Sequence, residues 1–282
     1  MTDTVTLRRR MLGTTLRQYR ENQGYALEDA ARILECDRSK ISRIETGQRS
    51  IRPKELRELL TEYGVNEAQQ QTLAAIAHRK AEQGWWEAFA EVLPEAFREY
   101  LAMEKVASRI LIYQPQQIPE LLQTQQYAAA VAGANHEMPH GRRILTAEAT
   151  VTRQQVILGD RQAELEVIIG EGALLQMVGG TDVMRAQRAK LAELASDDPH
   201  ITIQVLPLTA GAHAVGGTGP LTILRFEQVP DFGVVHLAGL EGGVCLVNPT
   251  EVIRYQKAFT QAQASALTQQ ESAHLLKRTA GK

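Results

Sequence analysis

Between Leu7 and Tyr63 the apolar residues recur at three- and four-residue intervals, and turn residues close each run. Such a pattern can be buried only by a set of short amphipathic helices packed on one another. Leu12, Leu16 and Tyr19 stripe a first helix that should stop near Gly24, and Leu27, Ala30, Ala31 and Leu34 stripe a second. Glu35 to Asp37 then forms a tight turn, Ile41 and Ile44 give the apolar face of a third helix, and Gly47 ends it. Pro53 suits the first turn of a fourth, where its missing N–H costs nothing, and Leu56, Leu59 and Leu60 supply its inward face. With one more helix after Asn66, about five helices make an all-α bundle.

At 282 residues the chain exceeds one small module, and 44% hydrophobic with 23% charged residues places it among globular proteins of two domains. The net charge of −2 argues against a uniformly basic nucleic-acid coat, yet it hides an asymmetry. Residues 1–57 carry 13 Lys and Arg against 8 Asp and Glu, which leaves 18 against 25 for residues 58–282. Cys36 and Cys245 lie too far apart for a zinc knuckle or a CxxC redox pair, so a reducing cytoplasm is the expected location. Three arginines stand where a secretory signal needs an apolar stretch, and no run of apolar residues is long enough to span a membrane.

Small Ala30 and Ala31, where two helices must approach closely, complete the physical recipe of a helix-turn-helix reader of double-stranded DNA. Asp37 is the expected N-cap of the third helix, from about Arg38 to Glu45. Turning Ile41 and Ile44 inward leaves Arg38, Ser39, Ser42 and Arg43 outside. An arginine fork on that face can grip guanine O6 and N7 in the major groove. Lys40 and Arg49 are assigned to phosphate contacts, and Arg8, Arg9 and Arg10 to a backbone-gripping arm. The competing reading is a merely solvated basic face. Basic residues, inward face and terminator in the order the motif demands favour DNA binding over it.

The segment GYALEDAARILECDRSKISRIETGQRSIRP resembles the phage-repressor or xenobiotic-response-element type of helix-turn-helix. That resemblance implies that SKISRIETG forms and closes the recognition helix and that Arg38, Ser39 and Arg43 meet base edges. One departure is Glu35 with Cys36 in the turn, where glycine is more usual.

From Asn66 to about Ala132 the pattern stays mostly helical, with Trp85, Trp86, Phe89, Phe97 and Tyr100 as its aromatic payload. Gly133 to Gly141 is the clearest loop, and a helix ends near Gly159. Five short apolar runs then read as strands: Leu165–Ile169, Ile201–Leu206, Leu221–Phe226, Val234–Ala238 and Val244–Val247. A helix from about Asp182 to Ala195 falls between the first two, and Pro249 opens a last helix toward Leu276. The expectation is a multidomain chain: a helix-turn-helix domain over 1–66, a helical linker over 67–110 and a larger α+β regulatory or partner-binding domain over 111–282. IPELLQTQQYA, TRQQVIL, EVIIGEGALLQMVGGTDVMRAQRAKLAEL and ITIQVLPLTAGAHAVGGTGPLTILRF resemble the C-terminal domain of actinobacterial antitoxin-like transcriptional regulators. This resemblance implies a regulator often encoded beside a small partner protein, with no established ligand.

No residues of this domain are assigned to catalysis. His136, Glu137 and His140 spell the HExxH zinc-protease pattern, but Pro139 inside it breaks the helix that the chemistry requires. The glycine-rich run from Gly211 to Pro220 lacks a Walker lysine and reads as a flexible connection. Around Ile118, Leu121 and Leu122, Gln117 to Tyr127 is either a partner groove or one amphipathic helix, with core packing favoured. His213, His236 and the two cysteines have no identifiable catalytic partner. The sequence therefore points to a DNA-binding transcriptional regulator, homodimeric on a pseudo-palindromic operator, whose C-terminal domain senses a ligand or a small protein. It is expected to be no enzyme and to need no cofactor or metal. The alternative is an antitoxin-like interaction module that sequesters a small partner and autoregulates its operon.

Overall fold

Helix ends set the geometry of the N-terminal region. In the computed structural model, which describes residues 6–78, 84–159, 163–227, 229, 232–239 and 242–281, α1 (Leu7–Asn22), α2 (Leu27–Ile33), α3 (Arg38–Glu45), α4 (Pro53–Glu62) and α5 (Glu67–His78) follow one another through short turns. Thr6 caps α1 by accepting the Arg9 N–H, and Pro53 opens α4 as its spacing predicts. The residue after the C-cap is left-handed in four of these helices: Gly24 (φ 72°), Glu35 (φ 46°), Gly47 (φ 75°) and Gly64 (φ 70°). Glu35 has the only positive φ outside glycine among the described residues. Glu35 N–H to Arg32 O (3.2 Å) and Cys36 N–H to Ala31 O (2.9 Å) close the end of α2 there. The turn thus takes the conformation a glycine would favour, held by the flanking hydrogen bonds.

Met11, Leu12, Leu16, Ala30, Ile41, Ile44, Leu56, Leu59, Leu60 and Leu73 are buried and make the core of this bundle. Gly13, inside α1, sits where α1 crosses the end of α3. A Cβ there would stand 2.6 Å from Glu45 O and closer still to Ile44 O, so only glycine permits the approach.

The chain divides into two compact units. The first comprises Met1–Glu82 with Arg225–Val235 and Cys245–Arg254, and the second Gln83–Leu224 with His236–Val244 and Tyr255–Lys282. After a 3-10 turn (Trp85–Phe89), the C-terminal α+β region runs α6 (Glu95–Glu104), β1 (Arg109–Gln114), α7 (Gln125–Gly133), α8 (His140–Gly159), β2 (Glu164–Gly170), α9 (Glu171–Leu175), α10 (Thr181–Asp197) and β3 (Ile201–Leu206). Next come β4 (Leu221–Arg225), β5 (Gly233–Leu237), β6 (Val244–Leu246), α11 (Pro249–Ser265) and α12 (Gln269–Ala280). Six strands form one sheet in the order β3-β2-β1-β4-β5-β6. β1 pairs parallel with β2, and β2 with β3, in a register that sets Ile112 beside Val167 and Val167 beside Ile203.

The sequence led to five strands and missed β1, which lies in the middle of the sheet. Ile110, Leu111, Ile112 and Tyr113 are buried on both faces, so their run lacks the alternation that marks a half-exposed strand. Gln117 to Tyr127 is not one amphipathic helix either: residues 115–124 are irregular apart from a 3-10 turn at Glu120–Leu122, and Ile118, Leu121 and Leu122 are buried. The single last helix expected from Pro249 is two, because a capping box of Thr268 and Glu271 restarts it as α12. That break has a use. Leu267 N–H donates to Val205 O (2.9 Å), and Ser272 Oγ accepts the Val205 N–H (3.0 Å), so the end of β3 at the sheet edge finds partners within the chain.

Candidate nucleic-acid interface

α3 carries the candidate interface. Ile41 and Ile44 are 1% and 3% exposed, which fixes the helix rotation. Arg38, Ser39 and Arg43 are then exposed and Ser42 half-buried, all on the opposite side. Asp37 occupies the N-cap position in extended conformation but makes no side-chain capping bond. Past the C-terminus, Arg49 N–H donates to Arg43 O (2.9 Å), folding the following loop back and leaving the Arg49 side chain exposed. Arg8, Arg9 and Arg10 lie in the first turn of α1, as helical residues and not as an extended arm.

Electrostatic pairing distinguishes the cations. Arg43 Nε donates to Ser39 O (3.2 Å) on its own exposed face. Arg38 Nη1 lies 3.2 Å from Glu28 Oε1 on α2, with both side chains well exposed. Lys40, assigned to a phosphate from sequence, has its Nζ 2.6 Å from Glu55 Oε1 at the start of α4, in a half-buried setting. Sequence reading also missed how α3 is anchored. Arg20 on α1 binds Glu45 through Nε–Oε1 (2.7 Å) and Nη2–Oε2 (2.9 Å), and its Nη1 donates to Tyr25 O (2.6 Å). The bond to Glu45 raises the Arg20 pKa, against the lowering effect of burial. Nothing in local periodicity signals a pair 25 residues apart.

These residues fall inside a recognised domain: residues 11–73 match a helix-turn-helix domain family, so the N-terminal region is a helix-turn-helix domain of the DNA-binding regulator class. Residues 97–278, well over half of the chain, match a second family, described as a domain of unknown function (DUF5753). The chain belongs to the DUF5753 family. No curated protein and no solved structure matches it. Among the described residues no helix is long and apolar enough to cross a membrane.

Within the DUF5753 domain, His136 lies in a turn and His140 opens α8, so the two are not neighbours on one helix. His213 stands edge-on to Tyr113 with ring centroids 5.8 Å apart. His236 stacks on Tyr100 (4.5 Å) and its Nε2 bonds Gly242 O (2.8 Å).

The most developed polar cluster surrounds Arg153, with Glu104 buried and Glu120 exposed at its edge. Arg153 Nε and Nη2 bond Glu104 (2.7 and 2.6 Å), Nη1 meets Glu120, and the guanidinium lies 5.5 Å from the Phe97 ring centroid. Tyr100 OH donates to Glu104 Oε1 (3.0 Å). Nearby side chains satisfy the irregular segment 115–124. Gln154 donates to Glu120 O (2.6 Å) and Gln123 O (2.9 Å), Lys190 to Gln123 O (2.7 Å) and Gln187 to Leu122 O (2.8 Å). Each of these groups has a protein partner, which is how buried polar groups hold an irregular backbone in one shape.

Proposed function

We propose that this DUF5753 protein is a sequence-specific transcriptional regulator of the xenobiotic-response-element type, with α3 as the helix that enters the major groove. The observation that carries the reading is the rotation of α3, which buries Ile41 and Ile44 while Arg38, Ser39 and Arg43 stand exposed. Arg38 and Arg43 are proposed to read base edges with Ser39 and Ser42 beside them. Arg49 and Arg8 to Arg10 are proposed to hold the phosphate backbone. The basic balance of residues 1–57 supports this division from an acidic remainder.

A homodimer on a pseudo-palindromic operator is proposed because one short reading helix contacts few base pairs, and pairing two adds affinity and spacing specificity. The DUF5753 domain is proposed to receive the signal, as a small ligand or a small partner protein. Its match to a family separate from that of the helix-turn-helix supports a role other than reading DNA. Selection of duplexes from a randomised pool tests the reading. The expected product is a pair of inverted half-sites about one helical turn apart, and a pool that enriches no sequence overturns it.

A further inference from the structure

The pair formed by Lys40 and Glu55 differs from the pair that Arg38 makes on the same helix. Both side chains are only 17% exposed. The Arg38–Glu28 pair is 66% and 58% exposed, so water and salt screen it and a phosphate or base competes with Glu28 on nearly equal terms. The half-buried pair is screened less and attracts more strongly.

Glu55 is also fixed from a second side. It lies in the first turn of α4, where its Oε2 accepts the Arg52 N–H at 3.3 Å and so satisfies a backbone donor at the start of that helix. Its charge there faces the positive end of α4. Burial pushes the Glu55 carboxyl up, but the bond from Lys40, the Arg52 N–H and both positive charges outweigh it and hold the group below the usual range. A carboxylate pinned by its own helix cannot follow Lys40 outward toward a phosphate.

Resting on the reading of α3 as the DNA-contacting helix, we infer that Glu55 is a charge gate: it withholds the Lys40 ammonium from the phosphate backbone. The domain then meets DNA without the Lys40 charge that its sequence offers. Binding to random DNA is almost wholly electrostatic, whereas operator binding adds base contacts. Withholding one cation therefore keeps random binding low and leaves discrimination to Arg38 and Arg43. Glu55 is in this sense a positioning residue acting through Lys40.

The test measures binding of the full chain to a random-sequence duplex of about 30 base pairs as salt rises from about 50 to 200 mM. Lys40→Gln is expected to leave the salt slope unchanged. Glu55→Gln keeps the bond from Arg52, because glutamine accepts the same N–H, and frees the ammonium. The slope should steepen by about 0.9, so that affinity falls about 3.5-fold further than wild type across that range. The double variant Lys40→Gln/Glu55→Gln should return to the wild-type slope.

Thermal melts establish that each variant is folded, and Lys40→Gln alone carries the test should Glu55→Gln unfold. A Lys40→Gln slope flatter by about 0.9, or an unchanged slope in folded Glu55→Gln, overturns the gate while leaving the DNA-reading role in place. A wild-type protein with no salt-dependent binding overturns both.

Discussion

Arg20→Met probes how the reading helix is anchored. Arg20 and Glu45 have side chains 7% and 6% exposed and share two parallel hydrogen bonds between α1 and the last residue of α3. Methionine keeps much of the stem's packing but leaves the Glu45 carboxylate buried without its cation, which costs about 3–5 kcal/mol. The Tyr25 carbonyl loses its 2.6 Å donor as well, adding about 1 kcal/mol because water reaches it in part. Against a domain stability of about 5–15 kcal/mol this is a large fraction. Arg20→Met/Glu45→Met removes both charges and should recover most of the loss, leaving roughly the Tyr25 contribution. Native-state hydrogen exchange of the α1 and α3 amides is the suitable assay, since it reports on this unit without requiring the whole chain to unfold in one step. A single-variant loss under about 1 kcal/mol, or a double variant no more stable than the single, refutes the reasoning.

Three further outcomes follow from named positions. Gly13→Ala should gain about 1 kcal/mol of helix propensity yet lower the melting temperature, because its methyl would collide with the Ile44 and Glu45 carbonyls at the α1–α3 crossing; a rise in melting temperature contradicts this. Glu35→Gly should stabilise the turn by about 0.5–1 kcal/mol, as relief of roughly 1–2 kcal/mol of left-handed strain exceeds the cost of glycine's flexibility. A lower melting temperature in that variant would show that the turn is unstrained. In the DUF5753 domain, burial holds the His236 imidazole below its usual value of 6.5 despite the opposing bond to Gly242 O. The unfolded chain therefore takes up a proton before the folded one does, and stability falls as pH drops from about 6.5 toward the lowered value. His236→Gln should lose less stability than wild type between about pH 7.5 and 5.5, and equal losses would remove His236 as the cause.

What could be read from the sequence followed a physical boundary between local and distant interactions. α1 to α4, the turn after α2 and the stop at Gly47 were legible because periodicity, Pro53 and the glycines act within a few residues. The exposed face of α3 followed directly from the burial of Ile41 and Ile44. β1 was not legible, since a six-residue run buried on both sides carries no period to separate it from the helices around it. The break before α12 did have a local signal, the Thr268 and Glu271 capping box, and it was obscured by the apolar pattern continuing across it. The pairs that condition the interface, Arg20 with Glu45 and Lys40 with Glu55, join different helices. Lys40 was assigned to phosphate from its place on α3, and the local sequence cannot show which carboxylate a fold brings to an ammonium.

Base reading by α3 is tested most directly by comparing wild type and Arg43→Ala on a selected operator duplex and on a scrambled duplex of the same length, at one fixed salt concentration. Loss of one bidentate base contact, about 1–3 kcal/mol, predicts a fall of roughly 5- to 150-fold for the operator. The scrambled duplex should weaken only by the few-fold that one lost charge explains. Equal losses on the two duplexes would place Arg43 on the phosphate backbone and contradict the assignment of α3 as the reading helix.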